Sequence, residues 1–76
     1  MDEHRLQGVF RDVFDEPDLV LRRSMTAADV EGWDSLNHVS MLAAVEREFG
    51  VRFSLTEIKG LKDVGGLMDL LERKGA

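Results

Sequence analysis

Residues 32 to 50 read GWDSLNHVSMLAAVEREFG, and the reading of this stretch decides the fold. Asp34 is suited to be a helix N-cap, because its carboxylate can accept from the free amides of a first turn, an arrangement worth about 1 kcal/mol over alanine. Ser35 is then the first helical residue. Leu36, Val39, Leu42, Ala43, Val45 and Phe49 are expected to supply the buried side, and Ala43 and Ala44 favour the helix. Gly50 follows as the residue able to take the left-handed conformation that ends it.

Toward the N-terminus, Leu6, Val9, Phe10, Val13 and Phe14 recur at helical spacing behind Asp2 and Glu3, which the helix dipole favours in a first turn. The pattern predicts a helix over roughly residues 3 to 15, ending near DEPD because Pro17 cannot continue it. Residues 16 to 33 form a long connection, with Leu19, Leu21, Met25 and Val30 as its anchors. Within it, TAAD resembles a weak capping box and predicts one short turn around Ala27 to Val30.

Toward the C-terminus, Val51 and Phe53 alternate with Arg52 in a short extended link. SLTE then reads as a capping box, Ser54 with Glu57, opening a short third helix that closes at about Gly60. Asp63 can cap a last helix carrying Val64, Leu67, Met68 and Leu71, with Arg73 and Lys74 in its final turn and Gly75 beyond. Gly65 and Gly66 weaken its first turn. The sum is an all-α chain of four helices, the third short, with a long loop between helices one and two.

Seventy-six residues leave room for a single domain over 1-76, burying about 60% of the surface its unfolded chain exposes, and exclude a multi-domain enzyme. There is no cysteine, so no disulfide, thiolate nucleophile or sulfur ligand for zinc comes from the polypeptide. The start, MDEHRLQGVF, lacks the basic and apolar regions of a secretion signal, and no apolar run approaches the roughly twenty residues of a membrane span. A cytoplasmic protein without membrane insertion is expected. The formal net charge is -5, and residues 1 to 19 hold six acids against Arg5 and Arg11. That balance argues against nucleic acid, whose binding rests on neutralising phosphates, and points to partners with basic surfaces.

Ser35 does not read as a nucleophile. A nucleophile elbow is G-x-S-x-G, whereas this chain has W-D-S-L-N. His38 lies three residues on, but a triad also needs an acid orienting the histidine and an oxyanion hole, and neither can be placed. His38 is therefore read as a solvated helix residue or contact surface, and no catalytic or metal-binding residue is assigned. A hydroxyl at a helix start does suit a phosphate ester, since the free amides and the positive end of the dipole face the added charge, an effect of about 0.3 to 1 kcal/mol.

The segment GWDSLNHVSMLAAVEREFGVRF resembles the central motif of acyl carrier proteins, in which Asp-Ser-Leu opens helix two. The likeness extends over nearly the whole chain, through the helix order, the long loop and the short third helix. What the resemblance implies is a carrier and not an enzyme: a four-helix bundle of acyl-carrier type with 4'-phosphopantetheine from coenzyme A attached to the Ser35 hydroxyl by a phosphopantetheinyl transferase. Asp34 would position the helix start and meet the transferase, and Leu36 would lie beside the arm. Helix two would be the recognition face, through Asn37, Ser40, Ala43, Glu46 and Arg47, for an acyl- or aminoacyl-loading enzyme and for the synthase or transferase of the pathway. Asn37, Ser40 and Arg47 stand where acids are frequent in the family, which turns the expectation from general fatty acid synthesis to a dedicated polyketide or specialised lipid pathway.

Trp33 is expected to pin the loop to the bundle, with the lining of a pocket for the acyl chain as the other reading. Val39, Leu42, Phe49, Val64, Leu67 and Met68 are expected in the core, where an inserted chain would meet them. A free-standing monomer is expected. The rival readings are a carrier of amino acids or peptides on the same fold, a non-catalytic helical interaction domain in which Asp34 and Ser35 are only a cap, and, remotely, an esterase built on Ser35 and His38.

Overall fold

The computed structural model describes residues 1-76 and contains helices α1 (Glu3–Val13), α2 (Ser35–Phe49), α3 (Leu55–Lys59) and α4 (Val64–Arg73), with a single 3-10 turn at Ala27–Asp29 in the long connection. Every one of these elements opens on a side-chain cap. Asp2 accepts from the His4 amide at 2.9 Å, Asp34 from Asn37 at 2.9 Å, Ser54 from Glu57 at 3.1 Å and Asp63 from Gly66 at 2.7 Å. Thr26 and Ser54 complete capping boxes with Asp29 and Glu57. Amides that no carbonyl can reach are thereby satisfied within three or four residues, which is why the helix starts were readable.

The stops follow a second local rule. At the end of α2, Gly50 takes a left-handed φ of 65°, its amide and that of Val51 both reaching the Glu46 carbonyl. At the end of α1 the same turn is made by Asp15, at φ 53°, with the Glu16 amide bonded to the Arg11 carbonyl at 3.0 Å. The helix therefore stops at Val13, two residues before the expected end. Asp15, and not Pro17, sets that end.

The core gathers Leu6, Val9 and Phe10 of α1, Met41, Leu42 and Val45 of α2, and Val64, Leu67, Met68 and Leu71 of α4. Phe14, Met25 and Val30 of the connection join them. The sequence reading of α2 needs correcting here. Leu36 is 76% exposed, Val39 64% exposed, and Ala43 faces solvent, whereas Met41 is buried. Helix α2 has apolar residues on more than one side, and the side that meets α1 and α4 is the one carrying Met41, Leu42 and Val45. Leu36, Val39 and Ala43, three and four residues apart along the helix, share the opposite side.

The long connection is tied to α4 through main chain. The first two amides of α4, Val64 and Gly65, donate to the carbonyls of Met25 at 2.9 Å and Arg23 at 2.8 Å, and the Arg23 guanidinium grips Asp69 at 3.0 Å. The approach is close enough that a Cβ on Gly65 would stand 3.0 Å from the Arg23 carbonyl oxygen. The glycine that weakens the first turn of α4 is thus what lets the loop lie against it. Helix α3 differs: none of its residues is fully buried, and it is held by its capping box and by Lys74, 3.0 Å from Glu57.

Candidate functional site

Ser35 occupies the first position of α2 with its side chain exposed. The Asp34 carboxylate is turned to the Asn37 amide, and the Asp34 carbonyl accepts from His38 at 2.8 Å. That leaves the amides of Ser35 and Leu36 with no acceptor in the protein. The segment before the serine is fixed as well. Asn37 Nδ2 donates to the Gly32 carbonyl, 2.6 Å away, and the Asp34 and Trp33 amides donate to Gly32 and Val30.

Trp33 is pinned as expected. Its ring meets Phe10 edge-on at 5.5 Å and Phe14 at 5.6 Å, so the residue two before Ser35 is anchored to α1 and to the turn after it. Its indole N–H donates to His38 Nδ1 at 3.0 Å, with the two rings stacked 18° apart. This bond revises the sequence reading of His38, which is half-buried and locks the tryptophan to α2 instead of being a solvated residue. In a catalytic triad Nδ1–H donates to a carboxylate, whereas here Nδ1 accepts from an indole. No sequence signal marks this pair, because positions 33 and 38 straddle the helix cap and share no helical spacing.

Beneath the pair lies a cavity of about 60 Å³, lined by Trp33, His38, Met41, Leu61, Lys62, Asp63 and Leu67. That is room for about two water molecules. Trp33 thus both pins the loop and walls this space. Of the residues read as a recognition face, Ser40, Ala43 and Arg47 point outward beside Leu36 and Val39. Asn37 and Glu46 are engaged inside the protein, Glu46 accepting from the Phe53 amide at 2.8 Å.

The serine fits a phosphodiester on local physics. Its hydroxyl is accessible, two unpartnered amides and the positive helix end lie beside it, and the adjoining Asp34 carboxylate is turned to the amide it caps. A phosphate there displaces no internal bond.

A family model described as a phosphopantetheine attachment site matches residues 4–71. The chain is similar to the solution structure of a holo acyl carrier protein from Geobacter metallireducens, at 39% identity and a TM-score of 0.87, covering 93% of this chain and 82% of that one. No curated protein sequence matches the chain. With four helices in the same arrangement and the family model spanning nearly its whole length, the chain belongs to the acyl carrier protein family and carries 4'-phosphopantetheine covalently.

Proposed function

We propose that Ser35 is the residue that carries the phosphopantetheine, and that the protein is a non-catalytic acyl carrier of the cytoplasm, a single domain over residues 1-76, serving a dedicated polyketide or specialised lipid pathway. The observation that carries the reading is the exposed Ser35 hydroxyl beside the unpartnered amides of Ser35 and Leu36. Asp34 holds the helix start in register and Trp33, locked by Phe10, Phe14 and His38, keeps the approach to the serine fixed. Leu36, 76% exposed, offers an apolar contact next to the attachment oxygen. When bound, the group supplies a terminal thiol for thioester cargo, which no residue of a cysteine-free chain can provide.

The test is intact-mass measurement after incubation with a phosphopantetheinyl transferase, magnesium and coenzyme A. One added phosphopantetheinyl group is expected on the native chain and none on Ser35→Ala, with the helical signal unchanged. Addition to Ser35→Ala would place the group on another residue. Mass spectrometry of the protein from its own host then names the cargo, and with it the pathway. An attached amino acid would replace the acyl reading by the aminoacyl one.

A further inference from the structure

The bond between Trp33 and His38 depends on a single lone pair. An indole N–H can only donate, so Nδ1 of His38, 3.0 Å away, must accept, and the imidazole is held as the neutral tautomer with its proton on Nε2. The planes of the two rings lie within 18° of each other, which aims the donor along that lone pair. A proton arriving at His38 needs the same lone pair. Imidazolium donates from both nitrogens, so the charged ring would present a donor to a donor, and the bond to the indole cannot persist. Histidine is the side chain that ordinarily changes charge between about pH 5 and 8. The contacts of Trp33 with Phe10 and Phe14, and the bond from Asn37 to the Gly32 carbonyl, involve no titrating group.

The charges around the pair decide where a protonated ring goes. His38 is half-buried over the cavity of about 60 Å³, whose charged lining residues are Lys62 and Asp63. Lys62 repels an imidazolium, while Asp63, turned to the Gly66 amide at 2.7 Å, keeps a negative charge that attracts it. A ring drawn toward Asp63 turns Nδ1 away from the indole. On its own helix His38 lies in the first turn, at the positive end of the dipole, and the Asp34 carboxylate is engaged with the Asn37 amide. The connection brings Glu31, which is exposed, and α1 brings the uncharged Phe10 and Phe14.

We propose that His38 is a positioning residue for attachment of the arm, acting through Trp33 in its neutral form alone, so that acidification loosens the entry to Ser35. The proposal rests on the attachment at Ser35, two residues beyond the tryptophan. With His38 neutral, Trp33 is held from both sides, by Phe10 and Phe14 on one and by α2 on the other. A proton on Nδ1 removes the second hold, leaves the indole N–H without its acceptor and opens one wall of the cavity. The fold survives the change, because the aromatic contacts with Phe10 and Phe14 remain. The change is therefore worth one hydrogen bond, a factor of roughly two to ten in the population of the held state.

The test follows the indole N–H of Trp33, the only tryptophan, by nuclear magnetic resonance of the full chain from about pH 8 to about pH 5.5, together with the ring signals of His38. The native chain is compared with His38→Asn, whose Oδ1 stands where Nδ1 stood and takes no proton in this range, and with His38→Leu, which offers no acceptor. In the native chain the indole signal is expected to move with the same midpoint as His38, its protection from solvent exchange falling by about threefold or more. It should stay fixed in His38→Asn, and in His38→Leu it should stand at the unprotected value throughout. The second readout is kcat/KM for loading by a phosphopantetheinyl transferase, taken as the ratio of native chain to His38→Asn so that the enzyme's own pH dependence cancels. That ratio is expected to fall by about threefold between about pH 8 and about pH 6, with His38→Leu below His38→Asn by a similar factor at both. An indole signal that ignores the titration of His38, or that moves equally in His38→Asn, overturns the proposal and leaves Ser35 in its role. A ratio that does not change with pH also overturns it, since a merely structural histidine gives that result. No loading of any chain at either pH overturns the attachment at Ser35 and, with it, the positioning role.

Discussion

The connection between α1 and α2 and the short helix α3 invert the usual association of helix with order. The connection has only one 3-10 turn, yet it buries Met25 and Val30, gives two carbonyls to the first turn of α4 and ends on a tryptophan held by three rings. Helix α3 has regular backbone and a complete capping box, yet Ile58 is its deepest apolar side chain and is only half-buried. Burial and long-range bonds, not helical geometry, decide which segment opens first, since five residues are too few for a helix to stand on its own propensity. For a carrier the distribution is sensible. The loop that leads into Ser35 is tied down on several sides, whereas α3 has little burial to hold it.

The comparison breaks most visibly at Met25. Met25→Ala removes a 5% exposed side chain from the core and should cost about 2 to 4 kcal/mol, a large part of the total for a chain this size, read as a lowered denaturant midpoint. Gly65→Ala comes next. Helix propensity alone favours alanine by about 1 kcal/mol, but the new Cβ meets a carbonyl that is fixed by its own hydrogen bond, so a net loss of about 1 to 2 kcal/mol is expected. A rise in midpoint for this variant would mean that the loop does not rest on α4.

Ser54→Ala sharpens the contrast from the other side. Loss of the cap should cost about 1 kcal/mol within α3 and show as faster amide exchange from Leu55 to Lys59, while protection in the connection stays as it was. The smallest effect is one of pH. The Ser54 amide, and after it Lys74, hold the Glu57 carboxyl below its usual value. A carboxyl depressed in the folded state gives stability that is present above its unfolded pKa and fades as pH falls through the lowered one. Protection factors in α3 should therefore drop on acidification below the ordinary carboxylate range. Glu57→Gln should abolish that acid dependence, whereas the main-chain ties of the loop to α4 hold no titrating group and should keep theirs.

Much of the candidate site was legible because it is local. Asp34 caps α2 through an amide three residues on, Ser35 follows it, and both the position and the exposure of the serine are consequences of that cap. The bond between Trp33 and His38 was not legible. It depends on the angle at which the connection enters α2, which Phe10 and Phe14 set from another helix. The contacts of the acids were not legible either: composition counts Glu46, Glu48 and Glu57 alike, while the fold sets each against a different group, the Phe53 amide, Arg5 or Lys74.

The sequence by itself determined where the helices begin and where α2 ends, because Asp34, Ser54, Asp63 and Gly50 act on amides and carbonyls within a turn of themselves. Only the tertiary structure decided which side of α2 is buried, why Gly65 must lack a side chain and which charges remain free. Each of those depends on what another segment brings to the same point in space, and a helix with apolar residues on several sides leaves that choice to its neighbours.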